Sequence, residues 1–235
     1  MNAGPPSGPP GPGSGEDPSE TGRPEEEPDP PEEWEPTTDP VAPVPLAVMD
    51  RLARDTSRLI EAVQIPEPPF HSTFGQARFD ALYRALYRNV LTATIALLRD
   101  VPTSAITVEG SFNEVAGEAL YTGTPEAAVR RRIWIQVVQR SRAAHARPPE
   151  RYGVSIGIVI PENLQRPLGP LVRQSAVLAA LDRLPQDQRE AVALRYYGDL
   201  SVSEVADALR LSPGRVIPLL RLALNTLRAA LESGT

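Results

Sequence analysis

The chain has 235 residues, of which 24 are basic and 30 acidic, and its net charge is −6. This length is enough for two small domains with tails, and the absence of cysteine excludes a disulfide framework and thiolate metal sites. With only two histidines, a histidine-based metal or catalytic cluster is not expected. No stretch reaches the roughly 20 apolar residues that span a membrane.

Residues 1–45 are predicted to form a disordered, acidic and proline-rich tail. Residues 1–50 contain twelve acidic residues and one Arg, so the remainder of the chain is mildly basic. Such a segment cannot bury enough apolar surface to offset the entropy cost of ordering. One interpretation of this tail is a solubilising linker. The other is that residues 25–35 compete with DNA for a basic face of the protein, or dock on a partner through Trp34. Residues 1–10 lack a basic region and an apolar run, so we expect no secretory signal.

Residues 46–147 are predicted to form a first helical domain that begins with an amphipathic helix over 46–63. A strongly helical run follows at 79–100, where apolar side chains recur at helical spacing. Farther along, residues 127–142 combine an inward apolar face with arginines clustered around Trp134. Arginines can follow phosphates and an exposed aromatic ring can stack on a splayed base, but Trp134 could equally be a core residue.

Residues 148–172 are predicted to form a proline-rich linker between two domains. Within this linker, the β-branched run VSIGIVI at 154–160 is typical of one extended segment. The sequence leaves open whether this segment lies along a partner surface or packs on either domain.

Residues 173–235 are predicted to form a second domain of about four helices that ends in a helix-turn-helix. Ser201 and Glu204 have the spacing of a capping box, and Ser212 followed by Pro213 is typical of another helix start. A short helix, a tight turn and a second helix match a helix-turn-helix, whose second helix can enter a DNA major groove.

The last helix is predicted to be cationic on its polar side. Residues 209–228 include four arginines and no acidic residue, a composition that suits a phosphate backbone. Pro218 falls inside this helix, where it removes a hydrogen bond and clashes with the preceding turn. We therefore expect the helix either to kink at Gly214 or to begin late, near Pro218.

The C-terminal motifs resemble region four, the −35-binding domain, of bacterial sigma factors, especially the extracytoplasmic-function group. The resemblance lies in the string LxxLPxxQREAVALRYYGDLSVSEVADALRLSPGRV. The family pattern continues with S-x-G-T-V-K-S-R-L-x-R-A. In this chain Ile217 and Leu219 replace the Lys and Arg of that pattern, and Pro218 stands between them.

The preceding segment resembles region two of the same family. The run at 79–100 is similar to the family's F-x-x-LY opening. Residues 104–112 correspond to the helix that grips the clamp of core RNA polymerase, with Val108 and Phe112 matching. Residues 127–142 resemble the helix that melts and reads the −10 element.

The resemblance implies an all-α fold of two small helical domains joined by the proline-rich linker. It implies a transcription initiation factor that binds core RNA polymerase and recognises the −10 and −35 promoter elements. The alternatives are a sigma-derived DNA- or polymerase-binding regulator without promoter melting, and a scaffold that binds proteins only. The implied partners are core RNA polymerase and promoter DNA, and the sequence leaves open whether an anti-sigma factor binds as well. No membrane partner is expected. The sequence contains no catalytic motif, so we expect that the protein is not an enzyme and has no cofactor. Because it shows neither a membrane-spanning stretch nor a secretory signal, we expect it to be cytoplasmic.

The site residues follow from the same resemblance. The residues expected to bind DNA are Arg130, Arg131, Arg132, Trp134, Arg140, Ser212, Pro213, Arg215 and Arg221. The residues expected to bind the polymerase are Val108, Glu109 and Phe112.

Overall fold

The computed structural model describes residues 46–66, 76–122, 124–146 and 162–233, and its regular elements within these ranges are helices. They are α1 Leu46–Ala62, α2 Gln76–Leu98, α3 Val101–Thr122, α4 Glu126–His145, α5 Glu162–Gln174, α6 Ala176–Leu181, α7 Gln186–Val192, α8 Val202–Leu209 and α9 Pro213–Ser233. A π-helical turn, Ala193–Tyr197, continues α7. The all-α prediction is confirmed. The predicted tail and the predicted extended segment at 154–160 lie outside the described residues.

Helices α2, α3 and α4 pack against one another and bury an aromatic cluster. The ring of Phe112 meets the ring of Tyr83 edge-on, with centroids 4.8 Å apart, and meets Phe79 in the same way at 6.3 Å. Edge-to-face pairs add stabilisation beyond the burial of their area. These rings therefore hold α3 firmly against α2.

Helices α6 to α9 form the helix-turn-helix part, in which α9 contacts α6, α7 and α8. The apolar side chains of α9 recur every three or four positions and lie on the face that packs inward, as predicted. They are Val216, Leu220, Leu224, Leu227 and Leu231, all buried.

Helix α1 joins the two parts of the molecule. It contacts α2 and α5 as well as α6, the π-helical turn and α9. Its Asp55 carboxylate accepts a hydrogen bond from the Ser175 hydroxyl and another from the Tyr197 hydroxyl, each 2.8 Å long. All the described helices belong to one compact unit, and their buried apolar side chains form one continuous core.

The second half of the predicted linker is helical, since α5 covers Glu162–Gln174 with Pro167 and Pro170 inside it. Each proline removes a hydrogen bond from the helix. Burial of Leu168 and Val172, four positions apart, against α1 and α3 offsets that loss. A count of prolines alone cannot detect this compensation by packing.

Helix α9 begins at Pro213 and runs through Pro218 to Ser233. Of the two alternatives, a kink at Gly214 and a late start near Pro218, the late start is therefore wrong. Helix α9 begins early because the buried Val216, which precedes Pro218, already belongs to its apolar face.

Candidate nucleic-acid interface

The helix-turn-helix is fixed by local hydrogen bonds at the start of α8. The Ser201 hydroxyl accepts from the Glu204 amide at 3.3 Å, and the Glu204 carboxylate accepts from the Ser201 amide at 2.9 Å. The predicted capping box is therefore confirmed. In the turn that follows, Arg210 takes a left-handed backbone conformation with φ 58°, and the Leu211 amide donates to the Ala206 carbonyl at 2.9 Å.

The first turns of α9 expose one side to solvent, opposite the buried Val216 and Leu220. The four predicted DNA-binding residues of this part, Ser212, Pro213, Arg215 and Arg221, are all exposed. Arg215 and Arg221 form no ion pair within the described ranges. Their charges are therefore available to an anionic partner.

The arginines of α4 are placed differently, because α4 packs against α8. The Arg130 guanidinium lies 3.3 Å from the Glu204 carboxylate, and the Arg131 guanidinium lies 3.2 Å from the Asp207 carboxylate. Both pairs are partly exposed, and each joins the arginine-rich helix to the first helix of the helix-turn-helix. Arg132 is exposed.

Glu204 serves both the capping box and the contact with α4. Partial burial acts to raise the pKa of its carboxyl. The hydrogen bonds from Ser201 and the positive charge of Arg130 act in the opposite direction and lower the pKa below its ordinary value. The carboxylate is thus held in its charged form.

Trp134 lies in the core and is only 2% exposed. A methyl group placed on Gly198 would come within 2.9 Å of the Trp134 ring and 2.7 Å of the Leu194 carbonyl oxygen. The absence of a side chain at Gly198 therefore lets the ring approach the backbone after the π-helical turn. The structure therefore agrees with the interpretation of Trp134 as a core residue. For Trp134 to stack on a base, α4 would have to separate from α8.

Two further arginines of α4 bind carboxylates. The Arg140 guanidinium lies 2.6 Å from the Glu114 carboxylate of α3. The Arg140 side chain passes over Gly110, where a methyl group would come within 2.8 Å of the guanidinium. Arg142 makes two hydrogen bonds, of 2.8 and 2.6 Å, to Glu190 of α7, whose side chain is 4% exposed. This bidentate pair is the most enclosed ion pair between α4 and the helix-turn-helix part.

Of the three residues expected to bind polymerase, two lie on the inner side of α3 and the third, Glu109, lies at its edge. Val108 and Phe112 are fully buried. Glu109 is partly buried and accepts a hydrogen bond of 3.0 Å from the Tyr83 hydroxyl. Burial raises the pKa of the Glu109 carboxyl, and the hydrogen bond from Tyr83 only partly opposes this effect. In this structure, Val108 and Phe112 support the core and present no surface to a partner.

Residues 174–227 match the family model for sigma-70, region 4. The match contains α6, α7, the π-helical turn and α8, and it ends within α9. It covers less than a quarter of the chain and supports a sigma-type transcription factor. No curated protein gives a significant match to the chain. None of the helices in the described ranges has the length and apolar character that a membrane crossing requires.

Sequence reasoning missed the residues that bind the arginines of α4. Asp207 and Glu190 carry no local signal of this role, because their partners lie far away in the sequence. Glu204 was recognisable only as part of a capping box. Gly198 stands in the family-like string LRYYG, but its close approach to Trp134 depends on the packing of α4.

Proposed function

We propose that the protein is a transcription initiation factor of the extracytoplasmic-function sigma type, which binds core RNA polymerase and contacts promoter DNA. One observation carries this proposal. A segment that matches sigma-70 region 4 folds as a capped helix-turn-helix, and the start of its second helix is exposed and cationic.

In this proposal α9 provides the −35 contact. Arg215 and Arg221 can bind phosphates, and the amino end of a helix favours negative charge. Contacts with phosphates give affinity and orientation but little sequence information. Ile217 and Leu219 offer no hydrogen bond to a base, so we expect weak sequence preference at the −35 element.

The −10 contact by α4 requires a rearrangement. Arg130 and Arg131 bind carboxylates of α8, and Trp134 is buried beside Gly198. Phosphates would have to replace Glu204 and Asp207 as partners of these arginines. Promoter recognition by α4 therefore depends on separation of α4 from α8, which binding to the polymerase would have to favour.

In this proposal, the residues of α3 that contact the polymerase are those that are at least partly exposed. Glu109 is partly exposed, and Asn113 and Glu114 follow it on the exposed side of the helix. The buried Val108 and Phe112 would hold α3 in position without touching the polymerase.

The experiment is in vitro transcription by purified core polymerase with the full-length protein and a library of promoter-bearing fragments. We expect complex formation and specific transcripts, with weaker promoter binding by the Arg215→Ala/Arg221→Ala variant. Arg173→Ala, which removes an exposed arginine of α5, is the control. If core polymerase forms no complex with the protein at low salt, the proposal is wrong.

A second candidate is a sigma-derived regulator that binds polymerase or DNA but does not melt promoters. The buried Trp134 and the paired arginines of α4 favour this candidate, because they withdraw the melting helix from DNA. Probing with permanganate, which modifies unpaired thymines, separates the two. An initiation factor gives unpaired thymines at the −10 element, whereas the regulator gives a bound complex with none.

A further inference from the structure

A cleft of about 370 Å³ lies between α4 and α8. This volume is within the range of sites that bind small molecules. Helix α4 contributes the small side chains of Ala127 and Ala128 and the buried ring of Trp134. The charged residues that line the cleft are two arginines of α4 and two acidic residues of α8, namely Arg130, Arg131, Glu204 and Asp207. The α4–α8 cleft therefore combines apolar walls with charges of both signs.

Two donors of the residues that line the α4–α8 cleft lack an acceptor within the described ranges. The indole Nε1 of Trp134 and the Nε of Arg130 are both buried and form no hydrogen bond. Arg130 Nε lies 3.3 Å from the Glu204 carboxylate, but the two groups are not aligned for a hydrogen bond. A buried donor without an acceptor is costly, so this pair indicates a place for an acceptor atom of a ligand.

The position of these two donors suits a single acceptor group. Arg130 and Trp134 are four positions apart, so their side chains lie on the same side of α4. The Arg130 side chain is 39% exposed, and the ion pair with Glu204 is its polar contact in the described ranges. It can therefore move aside to admit a carboxylate that accepts from both donors.

The charges of the α4–α8 cleft select the ligand. The two arginines balance the two carboxylates, so the lining has no net charge. A simple anion would meet Glu204 and Asp207, whose like charge would oppose its binding. A simple cation would be opposed in the same way by Arg130 and Arg131. A molecule that carries both a carboxylate and an ammonium group can place each of its charges beside an opposite one.

We propose that the α4–α8 cleft binds a small zwitterion, an α-amino acid with an apolar side chain. The carboxylate of this ligand accepts hydrogen bonds from Trp134 Nε1 and Arg130 Nε, and its ammonium group donates to Asp207. Its apolar side chain packs against Ala127 and Ala128. The proposal goes beyond promoter binding, because it assigns a ligand to a site that the initiation function does not require.

The test measures binding of free L-leucine to the full-length Trp34→Phe variant, in which Trp134 is the remaining tryptophan. We expect a saturable change in Trp134 fluorescence and a rise in melting temperature, because the ligand binds the folded state. Valine and methionine are titrated in the same way. Leucinamide, which lacks the carboxylate, and 4-methylpentanoate, which lacks the ammonium group, should each bind at least about tenfold more weakly than leucine.

Two matched pairs of variants locate the site. Asp207→Asn weakens the acceptor of the ammonium group and should reduce leucine affinity about tenfold. Asp50→Asn, the same change on the exposed surface of α1, should leave the affinity unchanged. Ala127→Leu fills the cleft and should abolish binding, whereas Ala85→Leu, at an exposed position of α2, should have no effect. The melting temperature without ligand shows that each variant is folded.

Three results would overturn the proposal. They are no saturable binding of any of the three amino acids, equally tight binding of leucinamide or 4-methylpentanoate, and undiminished binding by Ala127→Leu. Promoter transcription without added amino acid is scored separately, so failure here leaves the proposed initiation function intact.

Discussion

Helices α4 and α9 are both rich in arginine, yet the structure uses their charges in opposite ways. In α4, Arg130, Arg131, Arg140 and Arg142 all bind carboxylates of other helices. In α9, Arg215 and Arg221 project from an exposed face without such partners in the described ranges. A run of arginines in a sequence thus predicts a positively charged helix, but the packing of that helix determines whether the charge is available to a partner.

The difference between the helices has an energetic basis. Partly exposed ion pairs such as Arg130–Glu204 and Arg131–Asp207 contribute little to the free energy of unfolding, typically about 0–1 kcal/mol each. The burial of Trp134 and the bidentate pair of Arg142 with the enclosed Glu190 contribute more. These two contacts should therefore determine how tightly α4 is held to the helix-turn-helix part.

The largest effect is expected at Trp134. Trp134→Ala should lower the free energy of unfolding by about 3–5 kcal/mol, because it empties a filled site in the core. The matched change on α9, Leu222→Ala, should alter it by less than about 0.5 kcal/mol, since that side chain is exposed. Urea denaturation followed by circular dichroism measures both. Equal, small effects would show that Trp134 is not a core residue in solution.

A smaller effect is expected at Arg142. Arg142→Ala leaves the enclosed Glu190 carboxylate with Gln186 as its remaining side-chain partner, 2.9 Å away. We expect a loss of about 2 kcal/mol, below the usual range for a broken buried pair because the Arg142 side chain is partly exposed. Arg221→Ala on α9 is the matched control and should have almost no effect on stability. If both variants unfold at the same urea concentration as the wild type, the contrast between the helices is not energetic.

The smallest effect on stability is expected when the carboxylates of α8 are neutralised. Glu204→Gln/Asp207→Asn should change the free energy of unfolding by less than about 1 kcal/mol, since Gln can still complete the capping box. The same change frees Arg130 and Arg131, so DNA affinity at low salt should rise, by about threefold to tenfold. Asp50→Asn/Glu61→Gln on α1 removes the same net charge from an exposed surface. An equal gain in DNA affinity with this control would show that the net charge of the protein, and not the release of Arg130 and Arg131, determines DNA binding.

Features set by neighbouring residues could be predicted from the sequence. The capping box of Ser201 and Glu204 and the buried stripe of α9 each depend on spacings of three or four residues, and both are present. The contact of Arg130 with Glu204 could not be predicted, because it depends on how two helices distant in the sequence pack. The same holds for Gly110, where a weak helix former makes room for the Arg140 guanidinium.

The hydrogen bonds of Asp55 limit how far this protein can be truncated from its N-terminal side. The family match begins at residue 174, but the hydroxyls of Ser175 and Tyr197 donate to a carboxylate of α1, more than a hundred residues earlier. A fragment trimmed to the match would leave the Tyr197 hydroxyl without its acceptor and expose the surface that α1 covers on α6 and α9. In this molecule the unit of sequence similarity is therefore smaller than the unit of folding.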